Sequence, residues 1–183
     1  MFENIIKNVH NRHPLIHCIT NYVSINDCAN IVLACGGAPI MAEDINEVSQ
    51  ITSICQGLDI NIGMLNDNKL SSMLKAGATA NELGIPVILD PVGAGSSDYR
   101  IKAVQNLMSN VQFGVIRGNV SEIKAIAAKQ GIHNIADGVY ETMQKNKSAM
   151  GVEAGIADKI TDDNIKEMAD FINKLSQKTG AVI

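Results

Sequence analysis

Tryptophan is absent from the 183 residues, and aromatic residues make up only 3% of them. So few aromatic rings leave little on which unpaired bases could stack. Excess positive charge is missing too: the net charge is -4 and the pI is near 5.5, so there is no basic field for nucleic acid or an anionic membrane. Neither partner is expected. Long apolar runs are lacking as well. The N-terminal Met1–Lys7 stretch has apolar residues at helical spacing but no signal-peptide core, and no later segment is long enough to span a bilayer. A cytoplasmic protein is expected. Closely spaced cysteines do not occur: Cys18, Cys28, Cys35 and Cys55 form no Cys-x-x-Cys pair of the zinc or redox type and read as small core residues in a reducing compartment. The four histidines show no metal-ligand spacing either, since Pro14 separates His13 from His17.

What is present is enough apolar content, 46%, to bury one substantial core, so residues 1–183 read as a single domain without linker, repeat or low-complexity segment. Apolar runs of strand length alternate with longer amphipathic stretches, which predicts an α/β fold with a parallel sheet flanked by helices. The strand candidates are Leu15–Thr20, Ala38–Met41, Leu58–Gly63, Val87–Asp90, Phe113–Gly118 and Ala181–Ile183. Helical patterns cover Ser24–Cys35, Asn46–Cys55, Lys69–Leu83, Tyr99–Val111, Ser121–Lys129 and Asp163–Gln177.

The segment Asp90-Pro91-Val92-Gly93-Ala94-Gly95 carries the most chemistry. It joins a buried-strand pattern directly to a carboxylate and then to a backbone nearly free of side chains. Asp90 therefore falls at a strand's carboxyl end, where open α/β sheets place their ligands. Gly93 and Gly95 let the backbone approach an anion or take positive φ. Other strand candidates end in similar polar or glycine-containing tails: Thr20-Asn21-Tyr22-Val23, Met41-Ala42-Glu43-Asp44, Asn61-Ile62-Gly63 and Arg117-Gly118-Asn119-Val120-Ser121-Glu122. One edge of the sheet would gather them all. Asn119 with Glu122 also has the spacing of a helix capping box.

Taken in order, His17-Cys18-Ile19-Thr20-Asn21-Tyr22-Val23, Pro39-Ile40-Met41-Ala42, Asn61-Ile62-Gly63, Leu89–Gly95 with Tyr99-Arg100, and Ile116–Asn119 with Glu122 resemble the hydroxyethylthiazole kinases of thiamine salvage, in the ribokinase-like superfamily. Weaker resemblance continues through Gly151-Val152-Glu153. The resemblance implies a ribokinase-like, doubly wound, mostly parallel sheet and transfer of the ATP γ-phosphoryl group to the primary alcohol of 4-methyl-5-(2-hydroxyethyl)thiazole. It implies magnesium as cofactor and a homotrimer with sites at subunit contacts. It points to Asn21, Val23, Met41 and Gly63 for the thiazole, and to Asp90, Arg117 and Asn119 for ATP and its phosphates. Glu122 would hold magnesium through water. Such chemistry needs positioning and well-placed charge, which the Arg117 fork and these carboxylates suit.

One family feature has no counterpart in the 183 residues: the Gly-Thr-Gly-Cys or Gly-Thr-Gly-Asp turn that would build the anion hole and assist the substrate hydroxyl. The expectation is a ribokinase-like domain lacking its C-terminal part, with no catalytic residue assigned. A non-catalytic thiazole-binding or assembly module is the alternative, followed by a related kinase for another small alcohol.

Overall fold

The computed structural model describes residues 2–132 and 160–183. His133 and the Gly151–Glu153 resemblance lie outside the described residues. Five parallel strands form one sheet in the order β2-β1-β3-β4-β5: β1 Leu15–Ile19, β2 Ala38–Met41, β3 Gly57–Asn61, β4 Val87–Asp90 and β5 Val115–Ile116. Seven described helices accompany them: α1 Phe2–Arg12, α2 Ile25–Ala34, α3 Val48–Ile54, α4 Asp67–Glu82, α5 Asp98–Asn110, α6 Val120–Lys129 and α7 Ile165–Thr179.

The chain moves one way from β1 to β2 and the other way from β3 onward. Right-handed crossovers then put α2 on the opposite face from α3, α4 and α5, giving the double winding. Reversal between β1 and β3 also creates a topological switch point at their carboxyl ends, where such sheets open a crevice.

Register decides which residues share a face. Met41, Cys18, Asp59, Ile88 and Val115 pair laterally in one row, so all five lie on one side. The other side carries His17, Ile19, Leu58, Ile60, Val87, Leu89 and Ile116, all buried. Against that side pack Met73, Ala76 and Ala80 of α4 and Val104 and Leu107 of α5. Removing a side chain such as Leu107 to alanine from so closed a core costs about 2–5 kcal/mol.

Helix starts follow their caps. Asn66 accepts from the Lys69 N–H and Ser97 from the Arg100 N–H, each satisfying an orphan donor of the first turn. At the far end α7 stops at Gly180, in the left-handed region at φ 73°.

Several expectations need adjustment. The Phe113–Gly118 run pairs only at Val115–Ile116, and the terminal Ala181–Ile183 run contributes one parallel bridge, Val182 to Val115. The last helix begins two residues later than its acidic lead-in suggests, because Asn164 accepts from the Thr161 N–H in a turn before the helix. Not all cysteines are core. Cys35 is exposed at the end of α2 and Cys28 is half-buried, because α2 buries none of its residues. Gly93 takes positive φ at 67°, but Gly95 does not.

Candidate active site at the carboxyl edge of the sheet

Beyond Asn61 and Asp90, side chains from four strand ends join in one hydrogen-bonded line. Asn21 Nδ2 donates to Asn61 Oδ1 at 3.2 Å, Asn61 Nδ2 donates to Asp90 Oδ2 at 3.0 Å, and Arg117 Nη1 donates to the same Asp90 oxygen at 2.9 Å. The line runs across β1, β3, β4 and β5. Asn61 and Asp90 pair laterally, and the Arg117 N–H continues the ladder to the Leu89 carbonyl, so these side chains share one face. Burial raises the Asp90 carboxyl above its ordinary value, with Arg117 acting in the opposite sense and Glu122 adding to the rise. Arg117 itself is 77% exposed in its side chain and keeps further donors at the surface. Asn61 Oδ1 also accepts from the Gly63 N–H at 2.8 Å. A Cβ at Gly63 would fall 2.9 Å from both the Asn21 and Asn61 side chains, so only glycine allows this closeness.

Glu122 sits behind the turn after β4. Its Oε1 accepts from the Gly93 N–H at 2.9 Å and its Oε2 from the Asn119 N–H at 2.8 Å, while Asn119 Oδ1 accepts from the Glu122 N–H at 3.0 Å. Asn119 and Glu122 thus form a capping box that also anchors the glycine turn. No group of three or more histidine, cysteine or carboxylate side chains among the described residues makes a protein metal cage. Magnesium rarely needs one. It keeps several waters and shares one or two carboxylates with substrate phosphates, and Asp90 lies close enough to Glu122 for their charges to repel. The donor set fits a hydrated ion of that kind.

On the β1–β2 side, Met41 lies in the same lateral row as Cys18, half-buried, and Val23 is 87% exposed. Asn21 Oδ1 accepts from the Ser24 N–H at 3.0 Å and the Ser24 hydroxyl at 3.1 Å, fixing the turn that carries Val23. Two buried polar residues hold this side together. Lys69 of α4, 3% exposed, donates to the Thr20 carbonyl, pairs with Glu43 Oε2 at 2.8 Å and lies 4.6 Å from the Tyr22 ring centre. Tyr22 in turn donates to Glu43. His17 is fully buried, with Nε2 donating to the Ala42 carbonyl at 2.8 Å and Nδ1 at 2.9 Å from the Thr52 hydroxyl.

Asn21, Met41, Gly63, Asp90, Arg117, Asn119 and Glu122 therefore collect along one edge, and Val23 flanks it. Asn61, Lys69, His17 and Arg100 were not singled out by sequence as site residues. For Asn61, His17 and Arg100, membership in the quoted segments was the available signal.

An open parallel α/β domain with an aspartate and a glycine turn at the carboxyl edge of its sheet is of the ribokinase-like kind. The model of the hydroxyethylthiazole kinase family matches residues 6–176, and the chain belongs to that family. It is 52% identical over its whole length to a hydroxyethylthiazole kinase of Clostridium acetobutylicum, covering 61% of that relative, and 44% identical to one from Desulfovibrio desulfuricans, covering 59%. The structure of a hydroxyethylthiazole kinase protein from Pyrococcus horikoshii OT3 is similar, with a TM-score of 0.68 and 38% identity, over 77% of this chain and 53% of that one. The chain thus spans about 60% of the length of the curated relatives it matches, from 59% to 61% for these two.

Proposed function

We propose that this chain carries the alcohol pocket and part of the nucleotide site of a kinase that phosphorylates 4-methyl-5-(2-hydroxyethyl)thiazole with ATP. The supporting observation is the line Asn21–Asn61–Asp90–Arg117, which connects the proposed thiazole side to the proposed phosphate side through side chains alone. Met41 offers a polarizable thioether to a flat heterocycle, and Val23 and Gly63 are proposed to meet the same ligand. On the other side Arg117 presents forked donors to phosphate oxygens, with its orientation set by Asp90. Asn119 opens α6 beside the glycine turn, and the Glu122 carboxylate, which takes the Gly93 and Asn119 N–H groups, holds that turn in place. Magnesium, when bound, neutralises charge on the phosphates, and Asp90 and Glu122 are the residues that would hold its waters.

Copies of the chain are proposed to form a homotrimer, a reading supported by exposed apolar side chains on α2, Ile31 and Leu33, and elsewhere on the surface, Tyr22, Val23 and Ile45. No described helix is long and apolar enough to cross a membrane, which accords with a cytoplasmic metabolic enzyme.

Isothermal titration of the chain with the thiazole alcohol and with magnesium ATP tests the reading, with Arg117→Ala and Met41→Ala beside the parent. Losing the Arg117 contacts is expected to weaken nucleotide binding by about 1.5–3 kcal/mol, the range for hydrogen bonds to charged groups, and leave alcohol affinity nearly unchanged. Met41→Ala should do the reverse. Equal loss of both affinities in Arg117→Ala would make that arginine a structural residue.

A further inference from the structure

Arg100 stands in the first turn of α5, half-buried, and its guanidinium meets three backbone carbonyls but no carboxylate among the described residues. Nη1 donates to the Ile62 carbonyl at 2.7 Å and the Val92 carbonyl at 2.8 Å, and Nη2 donates to the Gly63 carbonyl at 2.6 Å. Ile62 and Gly63 form the tail of β3, packed on Asn21. Val92 opens the turn after β4, whose Gly93 N–H is held by Glu122. One planar fork therefore binds both tails, and a single nitrogen is shared between them.

The base of the fork is fixed. Ser97 caps the Arg100 N–H, and the neighbouring Tyr99 hydroxyl donates to Asp67 at the start of α4 at 2.7 Å. A half-buried guanidinium with no carboxylate partner among the described residues relies on the carbonyls it reaches, so displacing one tail leaves donors unmet. Lysine, a point charge without the fork, would not span the three acceptors in the same way.

We infer that Arg100 is a positioning residue that couples the alcohol pocket to the phosphate-binding turn, so that occupancy of either strengthens binding at the other. The ligand identities rest on the function proposed above. The coupling has a simple origin: a ligand that orders the β3 tail fixes the guanidinium, and the fixed guanidinium, through the Val92 carbonyl, has already ordered the turn on which the second ligand is proposed to sit. Reciprocity follows from linkage.

Two measurements on the chain and its Arg100→Met and Arg100→Lys variants test this. In amide hydrogen exchange, without any ligand, both residues 62–64 and residues 92–96 should lose protection together in Arg100→Met, with the core strands unchanged. Loss confined to one tail, or spread over the whole chain, overturns the clamp. In titrations with the thiazole alcohol and the non-hydrolysable magnesium complex of adenosine 5'-(β,γ-imido)triphosphate, each ligand should tighten the other by roughly fivefold or more in the parent, in the usual range of linkage effects, and by less than about twofold in Arg100→Met. Arg100→Lys, which keeps the charge, should fall nearer the methionine variant, and full coupling in it would show that charge alone suffices and overturn the role of the fork. A parent that binds both ligands without coupling, or a methionine variant that keeps it, also overturns the inference. Failure of the parent to bind either ligand would overturn the proposed function, and the exchange result would still decide whether Arg100 holds the two tails.

Discussion

Asp59 and His17 show how single residues in this sheet tie stability to pH with opposite signs. Burial, reinforced by Asp90, pushes the Asp59 carboxyl from 3.8 up to about 6. Between those values the folded protein holds a proton that the unfolded chain has released, so this residue makes stability fall as pH rises through the window. Asp59→Asn should therefore leave urea midpoints near pH 3 nearly unchanged and add about 3 kcal/mol above pH 7. Equal gains at both pH values would show that the effect is not ionisation. His17 works the other way. Burial holds its pKa below 6.5, so the unfolded chain takes the proton first and stability contributed by His17 is lost on acidification. Its neutral form also leaves a conflict: the Thr52 hydroxyl lies 2.7 Å from the Val48 carbonyl and cannot give its one proton to both that carbonyl and Nδ1. Lys69 contributes through its contacts instead. Lys69→Met strands the Thr20 carbonyl and uncouples Glu43, which is expected to cost about 1–3 kcal/mol in denaturant melts and to weaken thiazole binding more than nucleotide binding.

At the scale of elements, α4 and α5 meet so closely that helix propensity and packing oppose each other at Gly77. Alanine is the better helix former by about 1 kcal/mol, yet a Cβ there would fall 2.5 Å and 2.8 Å from the two Val111 methyls, within a buried contact. Overpacking costs roughly 1–3 kcal/mol, so Gly77→Ala should destabilise, and adding Val111→Ala should recover part of the loss beyond additivity. Additive losses would mean that the clash is not the cause. Elements of this kind were legible in sequence because apolar strand runs alternate with capped amphipathic stretches, and most boundaries fall within two residues. Those that shifted had tertiary causes: β5 pairs only where β4 and Val182 meet it, and α2 exposes cysteines that composition alone assigns to a core. The edge residues Asn21, Gly63, Asp90 and Arg117 could be read from their places after strand runs. Asn61, Lys69 and Arg100 could not be assigned roles that way. Their partners lie 29, 49 and up to 38 positions away, and a lysine or arginine in a helical first turn reads locally as a solvated charge.

For the whole molecule, the uneven distribution of burial is the informative property. The core closes around α4, α5 and the inner sheet face, whereas α2 buries nothing despite a mostly apolar sequence, Ile25–Ala34. Ile31 is 62% exposed and Leu33 56%, and Val23, on the turn before the helix, is 87% exposed. Apolar surface left in water costs about 25 cal/mol for each Å², so a second copy covering part of it would be stabilised by association. Because neither side chain supports the fold of one copy, Ile31→Glu with Leu33→Glu should leave thermal unfolding of the single chain nearly unchanged while shifting sedimentation from the proposed trimer to monomer. Alcohol binding should weaken with it, because Asn21 and Val23 sit on the turn leading into α2 and would lose the partner that holds them, whereas Arg117 and the glycine turn lie at the other end of the sheet and should retain nucleotide affinity. A parent chain that sediments as a monomer and still binds the alcohol with full affinity would exclude a pocket completed by a neighbouring copy.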